Sequence, residues 1–329
     1  MEAGLVQRAA PGVSFTAIPA AGVHGVGWRA LPRNLILLAQ GVLASRRILQ
    51  EFKPDVLFFT GGYVAAPMAV AGRRLPSLLY VPDIEPGLAL KFLARVAKRV
   101  AVTAEDSRKY FNRPSQITVT GYPVRANLSA WTPESAREHF HLSSKAPVLL
   151  VFGGSKGARS INQAVTAVLP QLLEIAQVIH ITGQLDWNEV ETVQARLPQD
   201  LKDRYHAFPY LHEDMGAALA CASLSISRAG ASSLGELPLF GVPAILVPYP
   251  YAWRYQKVNA DYLAHHGAAI MLEDAALKER LYSTVQDLFD QPARLQSMAS
   301  AMRAQARPQA ASQIAGLLKE MAAPGGEKW

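Results

Sequence analysis

Cysteine is almost absent from this chain: Cys221 is the single one among 329 residues. No internal disulfide framework can form, and this chain alone cannot hold a cysteine-based zinc or iron–sulfur cluster. One cysteine in a chain of this length fits a reducing compartment. Long hydrophobic runs are lacking too. The stretches 9–28 and 56–72 carry no Asp, Glu, Lys or Arg, yet Gly and Pro cut both, and a membrane-spanning helix needs about 20 unbroken apolar residues. The opening residues, MEAGLVQRAAPG, have no basic start followed by an apolar run and do not read as a secretory signal.

What is present is a globular composition, half of it apolar, in a chain long enough for two domains of roughly 150 residues each. Charge is uneven. Residues 1–125 hold 16 Lys/Arg against 7 Asp/Glu, and residues 126–329 hold 17 against 19. A basic first half suits an anionic partner, nucleic acid or acidic lipid, or else a solvated basic face kept for solubility.

Short apolar runs ending in Gly, Pro or polar residues alternate with helical patterns. The runs 55–59, 77–81, 148–152, 177–181, 223–227 and 244–247 each precede a turn signal such as TGGY, PDIEPG, GGSKGA or RAGASS. Buried strands spaced by helices mark parallel sheets covered on both faces, so the expected class is α/β. The polar segment 126–147, with two prolines and one short helix, divides the chain into two Rossmann-like domains, 1–126 and 127–329. From 276 to 321 only helices are expected, and 323–329 reads as a frayed tail. A Rossmann half opens with a strand and a Gly-rich turn, whereas residues 1–9 read as a helix; the first βα unit of the N-terminal domain is expected to be missing.

Three segments carry candidate chemistry. In VLLVFGGSKGARSINQAV, 148–165, a strand runs through Gly153, Gly154, Ser155, Lys156 and Gly157 into a helix starting near Ala158. Glycines there let a ligand approach the backbone, and the helix start favours a phosphate. The loop fits neither G-x-x-x-x-G-K-[ST] nor G-x-G-x-x-G, and an ordinary tight βα turn remains the other reading. In SRAGASSLGELPLFGVPAILVPYPYAWRYQKVNADYL, 227–263, Glu236 falls early in a helix, where it accepts two bonds from a vicinal diol or simply complements the helix dipole. Arg254, Gln256 and Asn259 follow at a strand's C-terminal end, where open α/β sheets bind ligands. In GYPVRANL, Arg125 is expected near the cleft between the domains, meeting a phosphate or an interdomain carboxylate.

These residues resemble a known family. GGSKGAR, SRAGASSLGE, GVPAILVP, YQKVNA and GYPVR look like the MurG family of N-acetylglucosaminyltransferases of peptidoglycan synthesis, with the likeness running in order along nearly the whole chain. The resemblance implies the GT-B fold, two Rossmann-like domains facing a cleft, here with an incomplete N-terminal domain. It implies an inverting hexosyltransferase that moves GlcNAc from UDP-GlcNAc to the lipid-linked muramyl-peptide lipid I, giving lipid II. Neither metal nor cofactor is expected, and no Asp-x-Asp pair occurs. By matching positions, Gly154, Ser155 and Gly157 meet the donor diphosphate and Arg125 lies near the phosphates. His212, through its backbone, and Met215 hold the uracil ring. Gly230 and Ala231 lie under the nucleotide, Glu236 binds the ribose, and Gln256 and Asn259 read the GlcNAc hydroxyls.

Three departures stand out. The family's N-terminal Gly-rich loop, with a histidine on the acceptor side, would precede Met1. The family's His-Glu-Gln-Asn is Tyr80-Val81-Pro82-Asp83 here, and the first of two adjacent glutamines is Tyr255. No residue stands out as the base: Asp83 or Glu85 offers a carboxylate near the cleft, Asp83 reads equally as a turn cap, and His24 is a loop histidine.

The segments 28–49 and 88–100 set apolar side chains, among them Trp28, Leu35, Leu90 and Phe92, beside basic ones such as Lys91 and Arg95. That pattern suits a surface of anionic lipid, and the other reading is core-facing helices with solvated basic sides. The expected location is cytoplasmic, peripheral on the inner face of the plasma membrane. Two other functions stay open: a GT-B transferase for another UDP-sugar or lipid acceptor, or a non-catalytic UDP-sugar- or membrane-binding module. Nucleic acid is not an expected partner, because the basic residues are interleaved with Leu, Val and Ala rather than with stacking aromatics.

Overall fold

The computed structural model describes residues 4, 6, 10–22, 27–143, 146–154, 156–251 and 255–323. The helix expected over 1–9 lies outside them except for Gly4 and Val6, which are helical. His24, Ser155, Arg254 and the tail from 324 onward also lie outside the described residues.

Two wholly parallel sheets form, as the buried apolar runs require. The first has four strands in chain order, β1 (Leu57–Phe59), β2 (Ser77–Val81), β3 (Arg99–Val102) and β4 (Ile117–Val119). The second has six, β5 (Val148–Phe152), β6 (Gln177–Ile181), β7 (Tyr205–Phe208), β8 (Leu224–Ser227), β9 (Ala244–Leu246) and β10 (Ala269–Met271), in the order β10-β9-β8-β5-β6-β7. The segment between the sheets carries the expected short helix, Pro133–His139, opened by a capping box between Thr132 and Ser135.

Every strand of the second sheet except β8, whose Leu224 and Ile226 enter one core only, feeds two cores. Val148, Leu150 and Phe152 of β5 enter one apolar layer while Leu149 and Val151 enter the other, the period-2 alternation of a sheet covered on both faces. The first sheet divides likewise: Leu79 and Val81 of β2 face one layer, Leu78 and Tyr80 the opposite one. That second face is covered from far along the chain. The helix Ala310–Ala322 lays Ile314 and Met321 onto Leu78, Tyr80 and Ala101, and Arg99 of β3 donates to Glu320 at 2.9 and 3.1 Å. Helices alone occupy 277–322 apart from short turns. The last of them, assigned by chain order to 127–329, packs in space on the first sheet, because only there is an apolar face left to bury.

Segment 88–100 is not one amphipathic helix. The helix Leu88–Val96 ends at Ala97 and the chain turns at once into β3. Leu93 and Val100 are buried in the first core and Leu90 packs against it, so Leu90 does not face outward. Phe92 and Arg95 remain exposed, and Lys91 pairs with Glu85 at 3.3 Å. The longer helix Leu31–Phe52 buries only Gly41 and Ser45 and leaves Leu35, Ile36 and Leu43 more than half exposed, with Trp28 before it at 79%.

Leu78 is the test of the crossing helix. Leu78→Ala should cost about 2–5 kcal/mol of unfolding free energy, the range for emptying a well-packed leucine site, measured by urea denaturation. A loss below about 1 kcal/mol would show that Ala310–Ala322 does not seal this face.

Candidate functional site

The second sheet reverses its winding between β5 and β8: the chain runs outward from β5 through β6 and β7, then returns to β8 on the other side. β5 and β8 are parallel neighbours, with Phe152 paired to Ser227, so the loops leaving both strands emerge side by side at the carboxyl edge. Such a switch point opens a crevice. Here it is a cavity of about 1070 Å³, lined by Gly153, Gly154 and Gly157 from the first loop and by Gly230, Ser232 and Ser233 from the second. Gln256 also lines it.

The first loop needs its glycines. Gly154 and Gly157 have φ of +84° and +79°, where an L side chain is strained, and the Gly157 N–H donates to Gly154 O at 3.0 Å. A Cβ on Gly157 would strike the Thr182 carbonyl, and one on Gly153 would strike the Ala158 amide. The helix Arg159–Ala167 then begins without a side-chain cap, so its first amides and dipole face the cavity unpaired by any cap.

A buried polar chain holds this loop from behind. Asn162 donates to Thr182 O and to Asp186 Oδ2, each at 2.8 Å, and Arg159 Nε donates to Asp186 Oδ1 at 2.9 Å. With the Asn162 amide nitrogen so committed, its Oδ1 accepts from His180 Nε2 at 3.0 Å, and His180 Nδ1 accepts from the Tyr205 hydroxyl at 2.8 Å. That arrangement fixes a neutral imidazole with the proton on Nε2. Burial lowers the His180 pKa to about 3, opposed by the Asp186 charge. On the far wall, Arg228 pairs with Asp274, donates to Ser160 Oγ at 2.8 Å and to Val247 O at 3.1 Å, and lies 5.2 Å from the Tyr249 ring centroid. Sequence reading missed both groups, because each joins residues whose partners are set only by the sheet order.

Glu236 lies in the first turn of the helix Ser233–Phe240, one turn beyond the cavity-lining Ser233. Burial raises its carboxyl above the ordinary range and the Arg125 charge opposes this. Arg125 reaches the His212 carbonyl in a long 3.5 Å hydrogen bond, so Arg125, Glu236 and the His212 backbone form one group. Arg125 is not among the residues lining the glycine cavity. Met215 opens the helix Met215–Cys221 and packs on the core beside them. Tyr122 is wedged against Gly235, whose Cβ would lie 2.7 Å from its ring. Gly230 and Ala231 sit in the turn between the two groups.

Gln256 and Asn259 part company. Gln256 Oε1 accepts from the Tyr249 amide at 2.9 Å at the rim of the cavity. Asn259 is buried, and its amide clasps the two lobes: Oδ1 accepts from Ile84 N at 3.0 Å while Nδ2 donates to Asp83 Oδ1 at 2.8 Å and Ala229 O at 3.1 Å. Both amide protons are used within the protein, which leaves Asn259 one acceptor lone pair for any sugar hydroxyl.

Comparisons with known proteins bear on this geometry. Residues 2–102 match the glycosyltransferase family 28 N-terminal domain and residues 148–314 its C-terminal domain. A relative from Roseiflexus sp. (strain RS-1) is 41% identical over 98% of this chain and 81% of its own length, and one from Desulfitobacterium hafniense (strain Y51) is 37% identical over 94% and 89%. Both are named UDP-N-acetylglucosamine:N-acetylmuramyl-(pentapeptide) pyrophosphoryl-undecaprenol N-acetylglucosamine transferase. The crystal structure of Acinetobacter baumannii MurG superposes with a TM-score of 0.76 at 25% identity, covering 97% of this chain and 88% of that one. A UDP-GlcNAc 2-epimerase from Neisseria meningitidis shares the fold, with a TM-score of 0.61 at 12% identity over 86% and 81%.

The buried imidazole makes a pH prediction. Between about pH 6.5, where a histidine of the unfolded chain titrates, and about pH 3, where the folded His180 does, the unfolded state binds the extra proton. Stability contributed by the neutral ring is therefore present above this window and falls as pH drops through it, by up to about 1.4 kcal/mol per pH unit. His180→Gln should flatten that slope by up to one proton when urea unfolding is compared at pH 7, 6 and 5; equal slopes in both proteins would contradict the assignment.

Proposed function

The chain belongs to glycosyltransferase family 28 and is a hexosyltransferase of GT-B fold; from that premise we propose that it moves N-acetylglucosamine from UDP-GlcNAc to undecaprenyl-pyrophosphoryl-N-acetylmuramyl-pentapeptide, converting lipid I to lipid II. The observation that carries this reading is the pairing, at one switch point, of a glycine-lined cavity with the half-buried carboxylate of Glu236 one helical turn away.

In this reading the diphosphate rests on the amides of the Gly153–Gly157 turn and on the uncapped helix start, with Gly230 and Ala231 beneath the nucleotide. Ser155 belongs to the same turn by sequence. The uracil lies toward His212 and Met215 and the ribose hydroxyls bond to Glu236, with Arg125 adding positive charge at that end. Gln256 and the remaining lone pair of Asn259 meet the sugar. Transfer is a single displacement with inversion: the acceptor hydroxyl attacks the anomeric carbon and UDP departs, its growing negative charge met by the helix dipole and the loop amides. No metal or cofactor takes part in this scheme.

The lipid-linked acceptor calls for contact with a membrane surface. None of the described helices is long and apolar enough to cross one. Trp28, Leu35 and Phe92 are exposed apolar residues of the first lobe with Arg29, Arg33, Lys91 and Arg95 near them in the sequence, and we assign these residues to anionic lipid at the inner side of the plasma membrane, where each basic residue contributes about 1 kcal/mol.

Three measurements check these assignments. Glu236→Ala should weaken UDP-GlcNAc binding by roughly 1–3 kcal/mol by calorimetry, the cost of leaving buried partners unpaired; an unchanged dissociation constant rejects the ribose role. Across a panel of UDP-sugars, UDP-GlcNAc should be the preferred donor, and preference for UDP-glucose or UDP-galactose overturns that choice. Leu35→Glu combined with Phe92→Glu should release the protein from sedimenting anionic vesicles, and undiminished sedimentation removes these residues as the membrane contact.

A further inference from the structure

An inverting displacement needs a group to take the proton of the attacking hydroxyl, and most carboxylates described near the cleft are committed elsewhere. Glu85 is buried and paired with Lys91. Asp186 holds Arg159 behind the glycine loop, and Asp274 is paired with Arg228. Glu236 belongs to the ribose end of the second lobe. Asp83 differs in both place and partners. It follows the C-terminal end of β2, on the first lobe, and faces the loop after β8 across the cleft. Asn259 Nδ2 bridges Asp83 Oδ1 at 2.8 Å and the Ala229 carbonyl at 3.1 Å, and the next residue, Gly230, lines the diphosphate cavity. One carboxylate oxygen is thus tied down by a neutral amide that also touches the donor loop. The other makes no hydrogen bond among the described residues.

We infer that Asp83 is the general base of the transfer, a catalytic residue that takes the proton from the acceptor hydroxyl. The inference rests on the transferase reading above and deepens it. As the acceptor oxygen bonds to C1 of N-acetylglucosamine, its proton passes to the Asp83 carboxylate. The C1–O bond to UDP breaks, and its electron pair leaves on the β-phosphate oxygen. Asp83 then loses the proton to solvent. Asn259 is a positioning residue in this scheme, holding Oδ1 so that Oδ2 faces the acceptor.

The surroundings suit the role. Burial raises the Asp83 carboxyl above the usual range, and the Asn259 hydrogen bond opposes the rise only in part. Among the described residues its charged and titratable neighbours are Tyr80 on β2 and Tyr122 after β4. Burial raises both phenols, so both stay neutral at working pH. Beyond Tyr122 lie Glu236 and Arg125, whose charges act on that phenol in opposite senses. On its own loop the Glu85–Lys91 pair is internally compensated. No cation is ion-paired to Asp83 among the described residues, so its basicity is not spent on an ion pair. Because only the ionised form accepts a proton, the rate falls as pH drops through the raised value.

The experiment compares wild type with Asp83→Asn, which keeps an oxygen for the Asn259 bond and removes the basicity. UDP-GlcNAc binding is followed by calorimetry and transfer with the lipid-linked muramyl-pentapeptide acceptor across pH. The variant should lose about 100-fold or more in kcat, within the usual range for general-base catalysis, with the UDP-GlcNAc dissociation constant unchanged and the acid limb of the wild-type profile gone. Asp83→Glu should keep that limb at reduced rate. A variant kcat within threefold of wild type and an intact acid limb would overturn the assignment while leaving the transferase reading standing. So would a loss of donor affinity that matches the loss of rate, because it makes the residue structural. If Asp83→Asn does not fold, Asp83→Glu decides: a kcat equal to wild type with an unshifted acid limb overturns the inference. Wild type that binds UDP-GlcNAc but transfers nothing to the lipid acceptor overturns the reading beneath it as well.

Discussion

Two parallel strands lying side by side, from which the chain departs in opposite directions, hold the rest of this molecule's chemistry in place. Because β5 and β8 are neighbours with Phe152 opposite Ser227, their loops have nowhere to go but the same edge of the sheet. Helix crossovers keep the space above that edge open. The glycines answer a geometric demand of this crowding. With Gly157 pressed on Thr182 and Gly183 beneath it, a side chain would force the loop outward and close the cavity to a diphosphate.

The floor of the crevice is built from compensated polar groups. Asp186 is matched to Arg159 and Asn162, Asp274 to Arg228 and Ser160, and the fully buried His180 is neutral between Asn162 and Tyr205. Buried polar chains of this kind are costly when half satisfied and rigid when complete. The lobes are joined differently. Ile84 and Ala104 of the first lobe enter the core of the second, Asn259 adds two hydrogen bonds across the cleft, to Ile84 and Asp83, and the last helix returns to seal the first sheet.

Much of the fold was legible because a strand buried on both faces has no alternative pattern to imitate. VLLVF and QVIHI read as strands and are strands over the expected residues. β3 was hidden in LALKFLARVAKRV, where helix and strand abut without a glycine or proline and the basic residues extend an apparent helical stripe. β4, β7 and β10 are too short and too mixed to announce themselves. The return of the last helix was out of reach, since periodicity says that 310–322 is helical and not which sheet lacks a cover. In the site, the glycine turn and Glu236 were readable because local spacing sets them. Asn259 was readable as a cleft residue but not as a clasp, for that depends on Asp83, 176 positions away.

The central claim is that one crevice grips a uridine diphosphate at two points, the glycine turn and the Glu236 carboxylate. A crystal structure of the protein with UDP-GlcNAc bound tests it most directly. The account predicts the diphosphate over Gly153–Gly157 and Gly230, with both ribose hydroxyls on Glu236. Nucleotide density at any other edge of the second sheet, or a Glu236 carboxylate turned away from the ribose, would contradict it.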